Sequence, residues 1–248
     1  MKSLKYLVLM SVSMILFASC ISGSGNEVAG TTYGVVSYST TANRNIVHEV
    51  TGLYVYHPAI ESLQSGDCIV YYRKINQDDE ANQSASQYWT ASEATYQKID
   101  RHEMEFALKD TSVMDEGELV TLEVGVIGYV EGVMFVQASH PNSATDQTME
   151  VSLSYNQDEI PEVVDGQNVY NLFLRSKKLT DGKSSSGTLA FESAFEFETF
   201  LNKACAAEKA KGKEVVNFRF NYVKSIDADS HASWTKSKII NYQIPSNN

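Results

Sequence analysis

The fold of the N-terminal half is decided by a turn, Ser65-Gly66-Asp67, and the run that follows it, Cys68–Ile75, which reads CIVYYRKI. A polar turn followed by residues rich in Val, Ile and Tyr is typical of a β-strand. The neighbouring sequence shows mainly the same period-two pattern. It predicts three more strands, Thr32–Tyr38, Ile46–Tyr56 with a bulge at Gly52, and Tyr88–Ile99. Several short strands in this length favour a small Greek-key barrel.

A second series of strands follows the charged stretch Arg101–Gly117, where we place the domain boundary. Seven strands separated by turn residues suggest an antiparallel β-sandwich. We therefore predict a mainly β chain, with a barrel domain at residues 31–105 and a sandwich domain at residues 112–248. The predicted sandwich strands are Leu119–Tyr129, Val133–Ser139, Gln147–Tyr155, Val169–Ser176, Thr188–Phe191, Glu214–Lys224 and Ser237–Ile244.

One segment of the sandwich domain has the periodicity of a helix. Its apolar residues recur at i, i+3, i+4, i+7 and i+8, which places them on one face, and Gly212 ends the run. We expect a helix of about four turns packed on the sandwich. The apolar face consists of Phe197, Phe200, Leu201, Ala204 and Cys205.

The first 20 residues, MKSLKYLVLMSVSMILFASC, resemble a bacterial lipoprotein signal. Lys2 and Lys5 form a positive n-region, and the apolar run Tyr6–Phe17 is too short to cross a bilayer core of about 30 Å as a permanent helix. Leu16–Cys20 resembles the lipobox. The resemblance implies a diacylglycerol on the thiol of Cys20, cleavage between Ser19 and Cys20, and acylation of the new amine, for example by palmitate. A secreted protein with a chance cysteine and a single-pass anchored protein are the alternatives.

The residues after Cys20 favour an anchor in the outer membrane. Residues 20–30 are small and polar, so we predict a flexible tether. Residue 21 is Ile and not the Asp that would resemble an inner-membrane retention signal. No acidic run follows, as it does in some surface-exported lipoproteins, so the periplasm-facing leaflet is favoured over the cell surface.

The charge of the chain argues against nucleic acid as a partner. The chain has 20 basic and 31 acidic residues and a formal charge of −11. Removal of residues 1–19 deletes Lys2 and Lys5, so 18 basic and 31 acidic residues remain and the charge becomes −13. Phosphate binding depends on Lys and Arg, and an acidic surface is repelled by anionic lipid. We therefore expect contact with the membrane through the lipidated Cys20 and not through a protein face.

Three features together resemble the NigD-like lipoproteins. They are the lipobox ending at Cys20, the stretch Leu63–Tyr72 (LQSGDCIVYY), and Gly128-Tyr129-Val130 near the start of the sandwich. The resemblance implies an OB-like N-terminal domain followed by a β-sandwich, while the predicted helix lies outside the usual pattern. The family is named after a protein implicated in immunity to the bacteriocin nigrescin, and it supplies no catalytic residue to transfer.

Few residues suggest catalysis or metal binding. Cys68 and Cys205 could pair, but they lie in different predicted domains, so two free thiols are favoured. The sequence contains no CxxC or HExxH motif, no nucleophile elbow, no P-loop and no GxGxxG. The cluster Asp227–His231 could hold a cation weakly, although a polar turn explains it equally well. We predict a protein without enzymatic activity, cofactor or metal.

Aromatic residues of the barrel domain suggest binding. Their rings could pack on a protein or stack on a neutral sugar, or they could fill the core, since Tyr is a good strand former. The leading hypothesis is a lipid-anchored envelope protein that binds a protein or peptide, with a bacteriocin that it neutralises as one candidate. The alternative is a glycan-binding accessory lipoprotein in which Tyr88 and Trp89 stack on sugar, and a hydrolase is the third possibility. The aromatic set is Tyr54, Tyr56, Tyr71, Tyr72, Tyr88, Trp89 and Tyr96.

Overall fold

The computed structural model describes residues 26–83, 87–106, 111 and 120–245. The predicted signal, Cys20 and most of the predicted tether lie outside these residues. The chain divides into two compact units, residues 1–100 with 127–131 and residues 101–126 with 132–248. The strands are numbered β1 to β16, and the two α-helices are α1 and α2.

The N-terminal unit is built on one six-stranded sheet, in the order β5-β3-β2-β1-β4-β6. The long strand β1 pairs antiparallel with both β2 and β4, which lets a single curled sheet enclose a core. It begins at Glu27, so the predicted tether is four residues too long at its end. The elements are β1 Glu27–Ser39, β2 Arg44–Glu49, β3 Tyr54–Tyr56, a 3-10 turn Pro58–Ile60, β4 Cys68–Asn76, α1 Glu80–Gln83, β5 Trp89–Thr90 and β6 Glu93–Ile99.

Two predicted strands of this unit are each broken in two: Tyr88–Ile99 divides into β5 and β6, and Ile46–Tyr56 divides into β2 and β3. The prediction of one strand over Ile46–Tyr56 is wrong, because Gly52 has φ +84° and forms a turn instead of a bulge. The 3-10 turn that follows β3 is capped by His57, whose Nδ1 accepts a hydrogen bond from the Ala59 amide at 3.1 Å. The core lies beneath β4 and this turn, and it comprises Val36, Val47, Ile60, Leu63, Ile69 and Tyr71.

The C-terminal unit contains a six-stranded and a four-stranded sheet, which confirms a mainly β domain carrying one helix. The larger sheet has the order β10-β12-β14-β15, with β11 paired to β12 and β16 paired to β14, and the smaller has the order β7-β13-β9-β8. Residues 127–130, the second half of β8, are counted with the N-terminal unit. The elements are β7 Arg101–His102, β8 Glu123–Val130, β9 Val133–Ala144, β10 Met149–Ser154, β11 Glu162–Val164, β12 Gln167–Lys178, β13 Ser186–Glu196, α2 Glu198–Lys209, β14 Val215–Ile226, β15 Ala232–Lys236 and β16 Ile240–Gln243.

The central strands β12 and β14 of the larger sheet run parallel, unlike the antiparallel arrangement that we expected throughout. The chain between them passes through β13 and α2, and such a crossover is what a parallel pair requires. Helix α2 packs where predicted, because Phe200 and Leu201 are buried and Phe200 lies 5.9 Å, centroid to centroid, from Phe218 of β14.

Candidate functional site

The two residues predicted to stack on a ligand lie in the N-terminal unit, close to its core. Trp89 starts β5 and is half-buried, packed with Leu53 against a small cluster that contains Val55. Tyr88 is also half-buried, and its ring meets the ring of Tyr56 edge to face, with 6.0 Å between centroids. Both therefore contribute to a structured surface, and their role in ligand binding stays a prediction.

Tyr56 is the centre of this surface. The guanidinium carbon of Arg44 lies 4.4 Å from the centroid of the Tyr56 ring, which is cation–π geometry. Burial raises the pKa of Tyr56, and a hydrogen bond between its hydroxyl and the carboxylate of Glu61 raises the pKa further. We call Arg44, Tyr56 and Tyr88 the tyrosine–arginine cluster.

Backbone pairing holds the cluster in place. Tyr56 pairs with Thr90 in the short parallel β3–β5 ladder, and the Ala91 amide donates to the Tyr56 carbonyl at 2.9 Å. The side chain of Asn82 fixes β5, since its Oδ1 accepts from the Thr90 amide at 2.7 Å and its Nδ2 donates to the Thr90 carbonyl at 2.9 Å. The side chain of Asn82 therefore holds the segment that follows Tyr88 in register with Tyr56.

Other aromatic residues divide between surface and core. Tyr54, Tyr72 and Tyr96 are exposed, as is Tyr38 of β1. Tyr71, in contrast, is buried, so it does not belong to the aromatic surface that the sequence suggested. Strand β4 explains the difference, because adjacent residues of a strand point to opposite faces and Tyr71 and Tyr72 are adjacent.

The core of the same unit contains a buried ion pair that the sequence analysis missed. Glu49 is 1% exposed, and its carboxylate accepts from the Nε of Arg73 at 3.0 Å and from the Tyr71 hydroxyl at 2.5 Å. Burial, and then the charge of Glu49, raises the pKa of Tyr71 well above its usual range. The signal was present in the sequence, because Arg73 lies in phase with the apolar residues Ile69 and Tyr71 on β4.

Ser37, His48 and Glu131 form a hydrogen-bonded chain within the N-terminal unit. Ser37 Oγ lies 2.9 Å from His48 Nε2, and His48 Nδ1 lies 2.6 Å from Glu131 Oε1. The order resembles a Ser-His-acid triad, but a triad serine is typically presented on a strained turn. Ser37 instead pairs with Ile46 in a regular ladder, and Tyr54 packs edge-on against the imidazole at 4.2 Å between centroids. We interpret the chain as a network that orients His48.

The described residues give little support to a metal site, a disulfide or a membrane-spanning helix. They contain no group of three His, Cys, Asp or Glu side chains placed to hold a metal ion. Asp227 accepts from the amides of Asp229 and His231 at 3.0 and 2.8 Å, which is the polar turn considered above. Cys68 and Cys205 are not joined in a disulfide. No helix in the described part of the chain combines the length and apolar character that crossing a bilayer needs.

Residues 24–97 match the family model described as lipoprotein OB domain. This match confirms the OB-like class of the N-terminal domain, and the family description points to a membrane-anchored lipoprotein of the cell envelope. The relation to NigD-like proteins in particular stays a prediction. No curated protein matches the chain.

Solved structures of similar fold cover both domains. An uncharacterized protein from Parabacteroides merdae is 25% identical, with a TM-score of 0.75, and the match covers 88% of this chain and 100% of that one. A protein of unknown function from Bacteroides vulgatus is 14% identical, with a TM-score of 0.55 and coverage of 89% and 96%. A protein from Bacteroides fragilis predicted to be a lipoprotein is 10% identical, with a TM-score of 0.56 and coverage of 89% and 100%. The last two similarities concern the fold alone.

Proposed function

We propose that the protein is anchored to the outer membrane through lipidated Cys20, faces the periplasm, and acts by binding a protein or peptide at its OB domain. The observation that carries the proposal is the tyrosine–arginine cluster. Tyr, Trp and Arg dominate the few residues that supply most of the binding energy in protein interfaces. A partially buried tyrosine with an arginine on its ring is rigid, so little conformational entropy is lost on binding.

The charge of the chain specifies the partner further. Residues 21–100 contain four basic and nine acidic residues, and the mature chain carries a charge of −13. Complementary charge accelerates association and discourages wrong partners. The partner is therefore a basic protein or peptide, and immunity to a cationic bacteriocin, as the NigD-like resemblance implies, is one role of this kind.

The anchor is tested by replacing Cys20 with Ser and fractionating the cells. The wild-type protein should be found in the outer-membrane fraction, and the Cys20→Ser protein in the soluble or inner-membrane fraction. Mass spectrometry of the mature wild-type protein should show acyl chains at residue 20. A mature N-terminus elsewhere, or a bare thiol, would contradict the anchor.

Binding is tested with a photo-crosslinking amino acid placed in intact cells. At position 88 it should yield a discrete protein adduct, and the yield should fall several-fold when Arg44 is replaced by Ala. Position 97 is the control, since Gln97 is exposed on β6 of the same domain. Equal yields at both positions, or adducts with lipid alone, would contradict the proposal. If gene deletion leaves sensitivity to bacteriocins of neighbouring strains unchanged, the immunity role in particular fails.

A glycan ranks second as a ligand of the OB domain. Stacking on a sugar needs an open ring face, whereas Trp89 packs against Leu53 and the Val55 cluster. A glycan array tests this alternative directly. Binding that is lost in Trp89→Ala and retained in Arg44→Ala would favour sugar over protein.

A further inference from the structure

The C-terminal domain contains a cavity of about 290 Å³ whose lining includes four amide side chains. It lies where β12 and β14 begin, beside the end of α2 and the strand β16. Its volume is at the lower end of the range for ligand sites, about 300–1,000 Å³, so it suits a ligand about the size of a monosaccharide. The polar wall comprises Gln167, Asn168, Asn217 and Asn241, together with Glu208 and Glu214.

Three of the amides are held by one another. Asn217 is 6% exposed, and its Oδ1 accepts from the Nδ2 of Asn241 at 2.6 Å. Its own Nδ2 donates to the Oε1 of Gln167 at 3.2 Å. Strand register supports this chain, because Asn217 lies directly opposite Asn241 in the β14–β16 ladder. The chain uses one donor group of Asn241 and the acceptor of Gln167, so the Oδ1 of Asn241 and the Nε2 of Gln167 remain to accept from and donate to a ligand.

The fourth amide is fixed by a buried carboxylate. Glu208 is 3% exposed, and its oxygens accept from the Nδ2 of Asn168 at 2.9 and 3.1 Å. They also accept from the Tyr170 hydroxyl and from the Nζ of Lys211, each at 2.9 Å. The charge of Glu208 is therefore neutralised and its lone pairs are used, so it positions Asn168 and does not attract a cation.

The remaining lining residues leave the cavity close to neutral. Lys213 and Glu214 contribute one charge of each sign, and Val215 is the single apolar residue among those that line it. An anion would find no excess of positive charge, a cation would find its main carboxylate already paired, and an apolar ligand would leave the amides without partners. The wall instead offers donors and acceptors side by side.

We propose that this cavity binds a neutral polyhydroxylated ligand, a monosaccharide or the terminal residue of a glycan. Each hydroxyl of a sugar both donates and accepts, and an amide side chain offers a donor and an acceptor of its own within one rigid group. The amides are already oriented by their mutual hydrogen bonds, which reduces the cost of ordering them on binding. This site is independent of the OB-domain role proposed above, and either can fail alone.

The test uses the full lipoprotein in a detergent that carries no sugar headgroup. Glucose, galactose, mannose, xylose and N-acetylglucosamine are titrated separately, with saturation-transfer NMR and calorimetry as readouts. We expect at least one sugar to bind with a Kd of about 1 mM, a value common for small ligands with few contacts. Asn241→Ala should weaken that binding about tenfold, and Gln167→Ala should do the same by removing the other free amide group.

Asn202→Ala is the matched control, since Asn202 is exposed on α2 of the same domain and does not line the cavity. Its affinity should equal that of the wild type. Thermal unfolding of each variant shows that loss of binding does not reflect loss of the fold. The proposal is overturned if none of the sugars binds, or if the two cavity variants bind as tightly as the control. Binding of triglycine in place of every sugar would overturn it too, because it would identify a site for peptide amides.

Discussion

Replacing Arg73 by Met should destabilise the N-terminal domain by several kcal/mol, because it leaves a charge buried without its partner. The guanidinium of Arg73 donates to both carboxylate oxygens of Glu49, at 3.0 and 3.3 Å. Glu49 is 1% exposed, so water cannot replace these hydrogen bonds. Met retains an unbranched apolar stem like that of arginine and lacks only the guanidinium end, so the substitution removes mainly the charge and its hydrogen bonds.

The magnitude follows from the burial of the pair. Removing one partner of a buried ion pair costs about 3–5 kcal/mol, compared with about 0–1 kcal/mol for an exposed pair. A domain of roughly 75 residues has a total stability of about 4–11 kcal/mol. The single substitution should therefore remove between about a quarter and all of that stability. The triple variant Glu49→Leu/Tyr71→Phe/Arg73→Met should recover most of the loss, since neither a buried charge nor the unpaired Tyr71 hydroxyl remains.

Urea unfolding measures these differences for the domain alone. Because two domains can unfold separately, a single transition cannot be assumed for the whole chain. All proteins therefore carry Trp234→Phe, which leaves Trp89 of the OB domain as the only tryptophan. A loss below about 1 kcal/mol in Arg73→Met would refute the reasoning, because that is the range of an exposed pair. If the triple variant is as unstable as the single one, packing and not charge explains the loss.

Three further predictions concern both domains. Gly34→Ala should cost about 1–3 kcal/mol in a thermal melt, since a Cβ there would lie 2.5 Å from the carbonyl oxygen of His48; an unchanged Tm would contradict this. Hydrogen bonds from Arg219 and Lys236 lower the pKa of Glu162 to about 2. The contribution of Glu162 to stability is therefore present above about pH 4.5 and is lost as the pH falls toward 2. Glu162→Gln should flatten that part of the pH profile by less than about 1 kcal/mol because the carboxylate is half-exposed, and identical urea profiles would contradict this. Burial lowers the pKa of His140 below 6.5, so an NMR titration should give a midpoint below that value, with stability lost as the pH falls below 6.5; a midpoint at or above it would be inconsistent with the buried ring.

The strands of the OB domain were predictable where pairing is local and alternation is regular. Cys68–Asn76 forms a strand within one residue of the prediction, because its turn and its alternation both point to the same structure. The sequence predicted an irregularity at Gly52 but not its type, since a glycine in a strand pattern indicates either a bulge or a turn. The parallel contact of β3 with β5 joins segments more than 30 residues apart in sequence, and no local pattern encodes it.

The tyrosine–arginine cluster was only partly visible in the sequence. Tyr56 and Tyr88 were both candidates because they are aromatic residues of predicted strands. Arg44 was not a candidate, since its position over the Tyr56 ring depends on how the β1–β2 hairpin meets the end of β3. Membership of a cluster of this kind is a tertiary property, and spacing along the chain does not reveal it.

The amide cavity was missed for a different reason, and the reason indicates how such sites can be found. Strand β14 alternates strictly, with Asn217, Arg219 and Asn221 between apolar neighbours. Such alternation predicts one buried face and one face in water. The structure buries both faces, because the polar side chains of β14 bond to those of β12, as Arg219 does to the Oδ1 of Asn171 at 3.0 Å. Buried polar groups cost stability unless they are paired, so the polar side chains on the buried face of a central strand are held in fixed orientations by hydrogen bonds. Where a cavity opens beside such a strand, these side chains present oriented donors and acceptors to it. The cavity beside Asn217 is such an opening.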